Sequence, residues 1–377
     1  MKHLVLIVKV THNCNMNCIY CYDREKRNKQ MASMTLEGAE QILKTFVGKY
    51  EYIQWIWHGG EPLLMSAENF YIPFYEKILP KYLNKGTTID FAMQTNLTML
   101  TKKHIDWILK YNVGLGTSFD GIKNDKYRLG GTLWEEKAKL FNEYANPKGI
   151  IFGVGTTVTP EVAESLVESH EYMKKYTTSL FYTPVFGWEA SKENTEIVLK
   201  GLEELLYHLL TKTNDDMPRP FNYMIDFLLG EPINFCENIG CLGKWFAIDP
   251  NMDVYPCGRH WPEEYKLGNL NEDNLKDIVK SDVFYYLKNV NKKLSDKCID
   301  CTLFHYCKCG CYNSRLAQMG TLEKHEDFLC YYTEELHKMV SNAIFNNFDK
   351  ITNQRFLNKQ GEKIKKILET NNLKEKN

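Results

Sequence analysis

The chain has 377 residues, 44% hydrophobic and 25% charged, which is enough for two domains sharing a large buried core. A formal net charge of -1 offers no field for a nucleic acid and argues against RNA-modifying roles. The apolar run at residues 4–8 is too short for a signal peptide and leads into Lys9, and no stretch has the length of a membrane span, so the sequence reads as cytoplasmic, with reduced thiols.

From residue 3 to about 214, Val-, Ile-, Phe- and Tyr-rich runs alternate with segments of helical period. The expected strands are 3–9, 52–57, 88–93, 113–118, 150–158 and 179–185. A helix is expected over 35–47, capped by Thr35, with Leu36, Ala39, Ile42, Leu43, Phe46 and Val47 on one face. Six strand–helix units predict an α/β fold with a curved parallel sheet and functional loops at the strand C-terminal ends.

The first strand runs into Cys14, Cys18 and Cys21, a C-x3-C-x2-C spacing with Tyr20 before the third thiol. Closed zinc sites and ordinary cubane clusters take four soft ligands, so three thiols leave one position for something that is not protein. The second strand ends in His58-Gly59-Gly60-Glu61-Pro62. Paired glycines permit close backbone approach to a ligand and a carboxylate can pair with an ammonium, although a plain strand-to-helix turn would use the same residues. The third strand ends in Gln94-Thr95-Asn96 and the fourth in Ser118-Phe119-Asp120-Gly121, with Arg128 downstream. Polar groups at such places also cap helices and close turns.

Prolines and glycines between 215 and 235 break the pattern and mark a linker. Of the twelve cysteines, none lies between 22 and 235 and nine lie between 236 and 330, so the chain carries two separate metal-binding regions and is not a disulfide scaffold. The segment 246–257, with Asp249-Pro250-Asn251 at its turn, reads as a hairpin. Zinc remains open as an occupant, since C-x2-C followed by C-x3-C can hold it. The last forty residues read as a solvated helical tail, with Ile364, Ile367 and Leu368 on one side.

These motifs resemble the radical S-adenosylmethionine (SAM) enzymes that carry a C-terminal SPASM domain, in the branch of peptide-modifying enzymes and sulfatase maturases. The resemblance implies a partial (β/α)6 TIM-type barrel over 1–214, a linker at 215–235, an iron–sulfur SPASM domain over 236–335 and a helical tail over 336–377. It implies three [4Fe-4S] clusters. Cys14, Cys18 and Cys21 would hold the one that binds SAM, Cys236, Cys241, Cys257 and Cys311 the first auxiliary cluster, and Cys298, Cys301, Cys307 and Cys330 the second. SAM contacts would come from Tyr20, Gly59, Gly60, Glu61, Asn96, Ser118, Arg128 and Phe186.

The implied reaction is hydrogen abstraction from a ribosomally made peptide by a 5'-deoxyadenosyl radical, followed by an oxidative crosslink, C–C favoured and thioether second. An external flavodoxin- or ferredoxin-type donor supplies electrons. Because the sequence begins almost at its first strand, a separate peptide-recognition protein, or recognition by the barrel itself, would stand in for the recognition domain of many relatives. Three departures stand out. Met252 replaces a Gly, Cys309 is an unassigned spectator thiol, and Gly258 replaces the Asp proposed as the base of sulfatase maturases. Formylglycine formation from Cys or Ser is therefore the alternative enzyme, and an electron carrier the alternative outside catalysis. Candidate bases are His58, His260, Glu263 and Glu264.

Overall fold

The computed structural model describes residues 3–24, 32–128, 131–185, 191–233, 240–324 and 328–374. The chain forms two compact units that do not follow its order. The first comprises Met1–Phe119, Asn124–Val154 and Cys241–Lys293, the second Asp120–Lys123, Gly155–Gly240 and Leu294–Asn377.

In the first unit, β1 (His3–Thr11), β2 (Tyr52–Gly59), β3 (Thr88–Thr95) and β4 (Gly114–Ser118) lie side by side in the order β4-β3-β2-β1, all parallel. Helix α1 (Leu36–Phe46) follows β1, and the Thr35 side chain accepts from Gly38 N, as its sequence predicts. Helices α2 (Lys102–Lys110) and α3 (Gly131–Ala145) follow β3 and β4. Alternation along β2 buries Ile53, Trp55 and Trp57 on one face and leaves Gln54, Ile56 and His58 half-buried on the other. Trp57 packs edge-on against Phe74 at 4.9 Å and donates its indole N–H to Tyr75 at 2.9 Å, so burial of the ring strands no polar atom.

Sequence periodicity does not reveal what lies beyond β1. The hairpin expected at 246–257 is present as β7 (Trp245–Ile248) and β8 (Asp253–Tyr255), numbered after β5 (Gly153–Val158) and β6 (Ser179–Pro184). Its first strand continues the sheet, pairing in parallel with β1 from Val5↔Trp245 to Val8↔Ile248, and β9 (Gly268–Asn269) completes the edge. The turn puts Met252 at φ 74°, so a methionine holds a left-handed position at which the resemblance led us to expect Gly. The backbone cost is about 1–2 kcal/mol, opposed by burial of its side chain against Gly38.

In the second unit β5 and β6 are neighbours, accompanied by α4 (Leu166–Met173), α5 (Lys192–Thr211), α6 (Phe221–Leu228), α7 (Phe328–Ser341) and α8 (Glu362–Lys374). Leu202, Leu205, Leu206 and Leu209 give α5 its buried stripe. The expected solvated tail is instead docked. Asn353 is fully buried and donates to the carbonyls of Leu209 and Asp215 at 2.8 and 2.9 Å, and Ile364 of α8 is fully buried while Ile367 and Leu368 are half-buried. Carbonyls left over at the C-terminal end of α5 thus gain partners from the tail.

Candidate active site

At the end of β1 the chain turns through Cys14, Cys18 and Cys21, three half-buried thiols outside any disulfide. Donors face their sulfurs. Met16 N lies 3.4 Å and Asn96 Nδ2 3.9 Å from Cys14 Sγ, and an Arg128 guanidinium nitrogen lies 3.9 Å from Cys18 Sγ. Amide and cationic donors around sulfur suit thiolates that carry a net negative cluster, so this donor set fits the iron–sulfur group the motif implies. Tyr20 belongs to the same patch, its ring 6.0 Å from Tyr127 and 5.2 Å from the Arg128 guanidinium.

The two glycines of the second motif are spent on the cysteine loop itself. A β-carbon on Gly59 would fall 2.2 Å from Thr11 O, and one on Gly60 2.1 Å from Asn13 O. This approach allows Gly60 N to donate to Thr11 O and Glu61 N to Asn13 O, each at 2.8 Å. Glu61 is fully buried, and its carboxylate accepts from Leu63 N (2.9 Å), Thr95 Oγ1 (2.6 Å) and Asn96 N (2.7 Å). Burial pushes Glu61 up to about 7, against these three donors. The residue expected to bind the SAM ammonium therefore also ties the end of β2 to the end of β3. Asn96 continues the tie by donating to Asn15 at 2.8 Å, and Gln94 donates to Ser118 at 2.9 Å across β3 and β4. Phe186 lies outside the described residues.

Beneath the loop lies a buried charge cluster that the sequence reading missed. Lys9 Nζ sits 3.1 Å from Asp23 and 3.5 Å from Asp249, and His12 bridges the same two carboxylates at 3.3 and 3.6 Å. All four are at most 3% exposed. Burial opposes the Lys9 charge, but Asp249 and Asp23 outweigh it and raise the ammonium further. Burial likewise opposes the Asp23 charge, and His12 and Lys9 hold it well below the usual carboxylate range. The available signal was a lysine inside an otherwise apolar strand.

The four candidate bases differ sharply. His58 accepts the Gly59 N–H on Nδ1 at 2.8 Å, which places the proton of the neutral ring on Nε2. Burial, with Lys9 nearby, lowers it to about 4 and keeps it neutral. Glu263 is exposed and engaged by the Tyr255 hydroxyl at 2.8 Å and by Lys266 at 2.7 Å, and Glu264 is exposed. His260 is half-buried three residues beyond Cys257. Gly258, beside that cysteine, has no room for a side chain, because a β-carbon would meet Ile7 Cγ2 at 2.9 Å and Cγ1 at 3.2 Å.

Of the first auxiliary set, Cys241 and Cys257 belong to the first unit and Cys311 to the second, while Cys236 lies outside the described residues. Trp261 donates its indole N–H to Cys257 at 3.2 Å. Cys298, Cys301, Cys307 and Cys330 all belong to the second unit. Lys308, Cys309 and Gly310 are successive left-handed residues at φ 48°, 69° and 69°, and Lys308 N and Gly310 N donate to Phe304 O and Cys307 O, each at 2.8 Å, so this turn is closed by its own backbone. Cys309 is buried, and its thiol, pushed up by burial and by a bond with Cys298, adds a further sulfur to that set. Elsewhere in the second unit His170, Glu171 and Asp215 converge, but Lys174 already bridges the two carboxylates at 3.3 and 2.7 Å. That group is a satisfied ion network.

The chain matches the family profile of the Radical SAM superfamily over residues 8–173 and the SPASM iron–sulfur cluster-binding domain over 236–302. It is 25% identical over 337 residues to a cysteine-type anaerobic sulfatase-maturating enzyme of Clostridium novyi, covering 84% of this chain and 89% of that one. Its fold is similar to native anSMEcpe with bound AdoMet, with a TM-score of 0.79 and 22% identity over 92% of this chain and 99% of that one. It is also similar to Streptococcus suis SuiB bound to precursor peptide SuiA, with a TM-score of 0.63 and 18% identity over 87% and 76% of the two chains. The mixed α/β sheet is thus that of the partial barrel, accompanied by a C-terminal SPASM region. No helix among the described residues is long and apolar enough to cross a membrane.

Proposed function

We propose, for a chain that is a radical SAM enzyme with a SPASM region and uses SAM and iron–sulfur clusters, the two-electron oxidation of a peptide or protein side chain in a reducing compartment. The observation that carries this reading is the three-thiol loop, backed by N–H donors and locked by Gly59, Gly60 and Glu61 onto β2 and β3. When bound, SAM and the clusters supply a carbon radical that takes a hydrogen atom from the substrate and a sink for the electron left behind.

The protein's own contribution is positioning. Glu61 and Asn96 fix the loop around the thiols, and Arg128 offsets negative charge at Cys18 while stacking on Tyr20. We retain the ligand sets and the SAM contacts expected from the sequence as part of this proposal, with the segments 1–214, 215–235, 236–335 and 336–377 as its domains. An external one-electron donor completes the cycle. His58 presents an N–H and acts as a donor, so the proton acceptor to test is His260.

Formylglycine formation from Cys or Ser is the leading product, supported by similarity along nearly the whole length of a sulfatase-maturating enzyme. An oxidative crosslink is the second reading. It is favoured by Gly258, whose contact with Ile7 leaves no place for the acidic base of the sulfatase maturases. Anaerobic protein, reduced and supplied with SAM, should be offered Cys- and Ser-containing sulfatase peptides and the short peptides encoded beside its gene, with mass spectrometry of the products. An aldehyde replacing the thiol or hydroxyl supports the first reading. Loss of two hydrogens without an aldehyde, with fragments that stay joined, supports the second. SAM cleavage with every peptide unchanged overturns both, and absence of cleavage by loaded protein favours an electron carrier.

A further inference from the structure

The buried quartet of Lys9, His12, Asp23 and Asp249 has no part in the reaction as read so far. All four residues lie in the first unit, and each is at most 3% exposed. Sheet register brings the distant member in. Because Val8 pairs with Ile248, the next residues along the two parallel strands, Lys9 and Asp249, fall beside each other, with Lys9 Nζ 3.5 Å from the carboxylate. Asp249 is fixed in turn by its hairpin, since its N–H donates to Asp253 O and its carbonyl accepts from Met252 N, both at 2.9 Å.

Two members of the quartet bracket the three-thiol loop. His12 stands two residues before Cys14 and Asp23 two residues after Cys21. His12 Nδ1 lies 3.3 Å from Asp23 Oδ2, so this contact closes a ring of chain that contains all three thiols. Two residues span at most about 7 Å of backbone, which keeps both side chains close to the sulfurs. Lys9 Nζ, 3.1 Å from Asp23, extends the same patch of charge.

Ions this deep are costly to keep. Apolar side chains of similar volume often fill such a place as well or better, so packing alone does not account for an ammonium and two carboxylates here. What apolar groups cannot supply is a fixed electrostatic field at the loop. The potential of an iron–sulfur group depends on the charge and hydrogen bonds around it as well as on its ligands. At an effective dielectric constant of about 20, a unit charge roughly 10–15 Å away changes a one-electron equilibrium about tenfold.

We propose that Lys9, Asp23 and Asp249 are positioning residues whose charges set the one-electron potential of the iron–sulfur group held by Cys14, Cys18 and Cys21, with His12 fixing Asp23 against the loop. Lys9 raises that potential and each carboxylate lowers it. The proposal rests on the reading above that these three thiols hold the SAM-binding cluster.

Full-length, cluster-loaded protein is titrated with a reductant without oxygen at constant pH. The signal followed is the electron paramagnetic resonance that changes when SAM is added, which separates the three-thiol site from the auxiliary clusters. Lys9→Met should make reduction harder by about tenfold in the equilibrium constant, a shift of about 59 mV to lower potential for one electron. Asp249→Asn should shift it by a similar factor to higher potential, and the double variant should return close to the wild type. Loosened packing acts regardless of the sign of the charge removed, so opposite shifts that cancel are not the mark of a merely structural role. If Lys9→Met does not fold, Asp249→Asn and the double variant carry the test, and the single variant must then lie above both the wild type and the double. Potentials that stay unchanged in folded variants, or that move the same way in both single variants, overturn the proposal and leave the ligand reading standing. A wild type with no SAM-sensitive signal overturns the two together.

Discussion

Restoring the missing carboxylate by Gly258→Asp should damage this protein rather than convert it. The new β-carbon would meet Ile7 Cγ2 at 2.9 Å, Cγ1 at 3.2 Å and Cβ at 3.4 Å. Ile7 is 6% exposed on β1, and its β-branch leaves no rotamer that withdraws both γ-carbons. Overpacking of this kind costs about 1–3 kcal/mol. For a compact unit of this size that corresponds to a melting temperature lower by about 2 to 12 °C. Ile7→Ala removes both offending atoms and by itself costs about 2–5 kcal/mol. In that background Gly258→Asp should cost nearly nothing, giving a favourable coupling of about 1–3 kcal/mol in the double-mutant cycle. Anaerobic thermal unfolding of the four cluster-loaded proteins measures the cycle, and product analysis of the double variant asks whether the carboxylate helps once it has room. A single variant as stable as the wild type, or a penalty equal in both backgrounds, refutes the packing argument.

Three further outcomes follow from the same geometry. Lys9→Met leaves Asp23 and Asp249 buried without their ammonium and should cost about 3–5 kcal/mol, read as reduced soluble yield and a lower unfolding midpoint. Glu61→Gln keeps one accepting oxygen but turns an amide N–H2 toward the donor or donors on the other side, Asn96 N in the better orientation, and should cost about 1–3 kcal/mol and weaken SAM binding, and unchanged SAM affinity would limit Glu61 to a role in the turn. His58, lowered to about 4, refuses a proton that the unfolded chain takes up near 6.5, so its contribution to stability is lost as pH falls through that window, by at most about 3 kcal/mol. Glu61, raised to about 7, runs the opposite way as pH rises, so the informative quantity is the difference between wild type and His58→Gln, which should narrow from pH 7 to pH 4.

The strands of the partial barrel, helix α1 with its Thr35 cap and the later hairpin were legible because period-two burial and capping are local properties. The three-thiol loop was legible because its cysteines are close in sequence. What escaped was non-local. Gly59 and Gly60 looked suited to a ligand, yet much of their freedom is used against Thr11 and Asn13, a relation visible only once β1 and β2 are paired. Ile364 looked like one edge of a weak stripe, and only the carbonyls at the end of α5 explain why the tail is anchored through Asn353. Lys9 looked like the end of an apolar run, because one of its carboxylates lies some 240 residues away. Met252 was read as a departure that could alter the turn, and the chain nonetheless holds it in the left-handed conformation.

The pairing of β1 with β7 bears on how the chain assembles. One edge of the earliest strand is completed by residues 245–248, and Lys9 meets Asp249 immediately beyond them. During synthesis the first strand therefore waits, with an exposed edge and an unmatched cation, until about two thirds of the chain has left the ribosome. Contacts of such long sequence separation form slowly and leave strand edges open to wrong partners. A fragment ending at residue 214 would keep all three cysteines of the first loop and still lack the strand and carboxylate that close the unit around them.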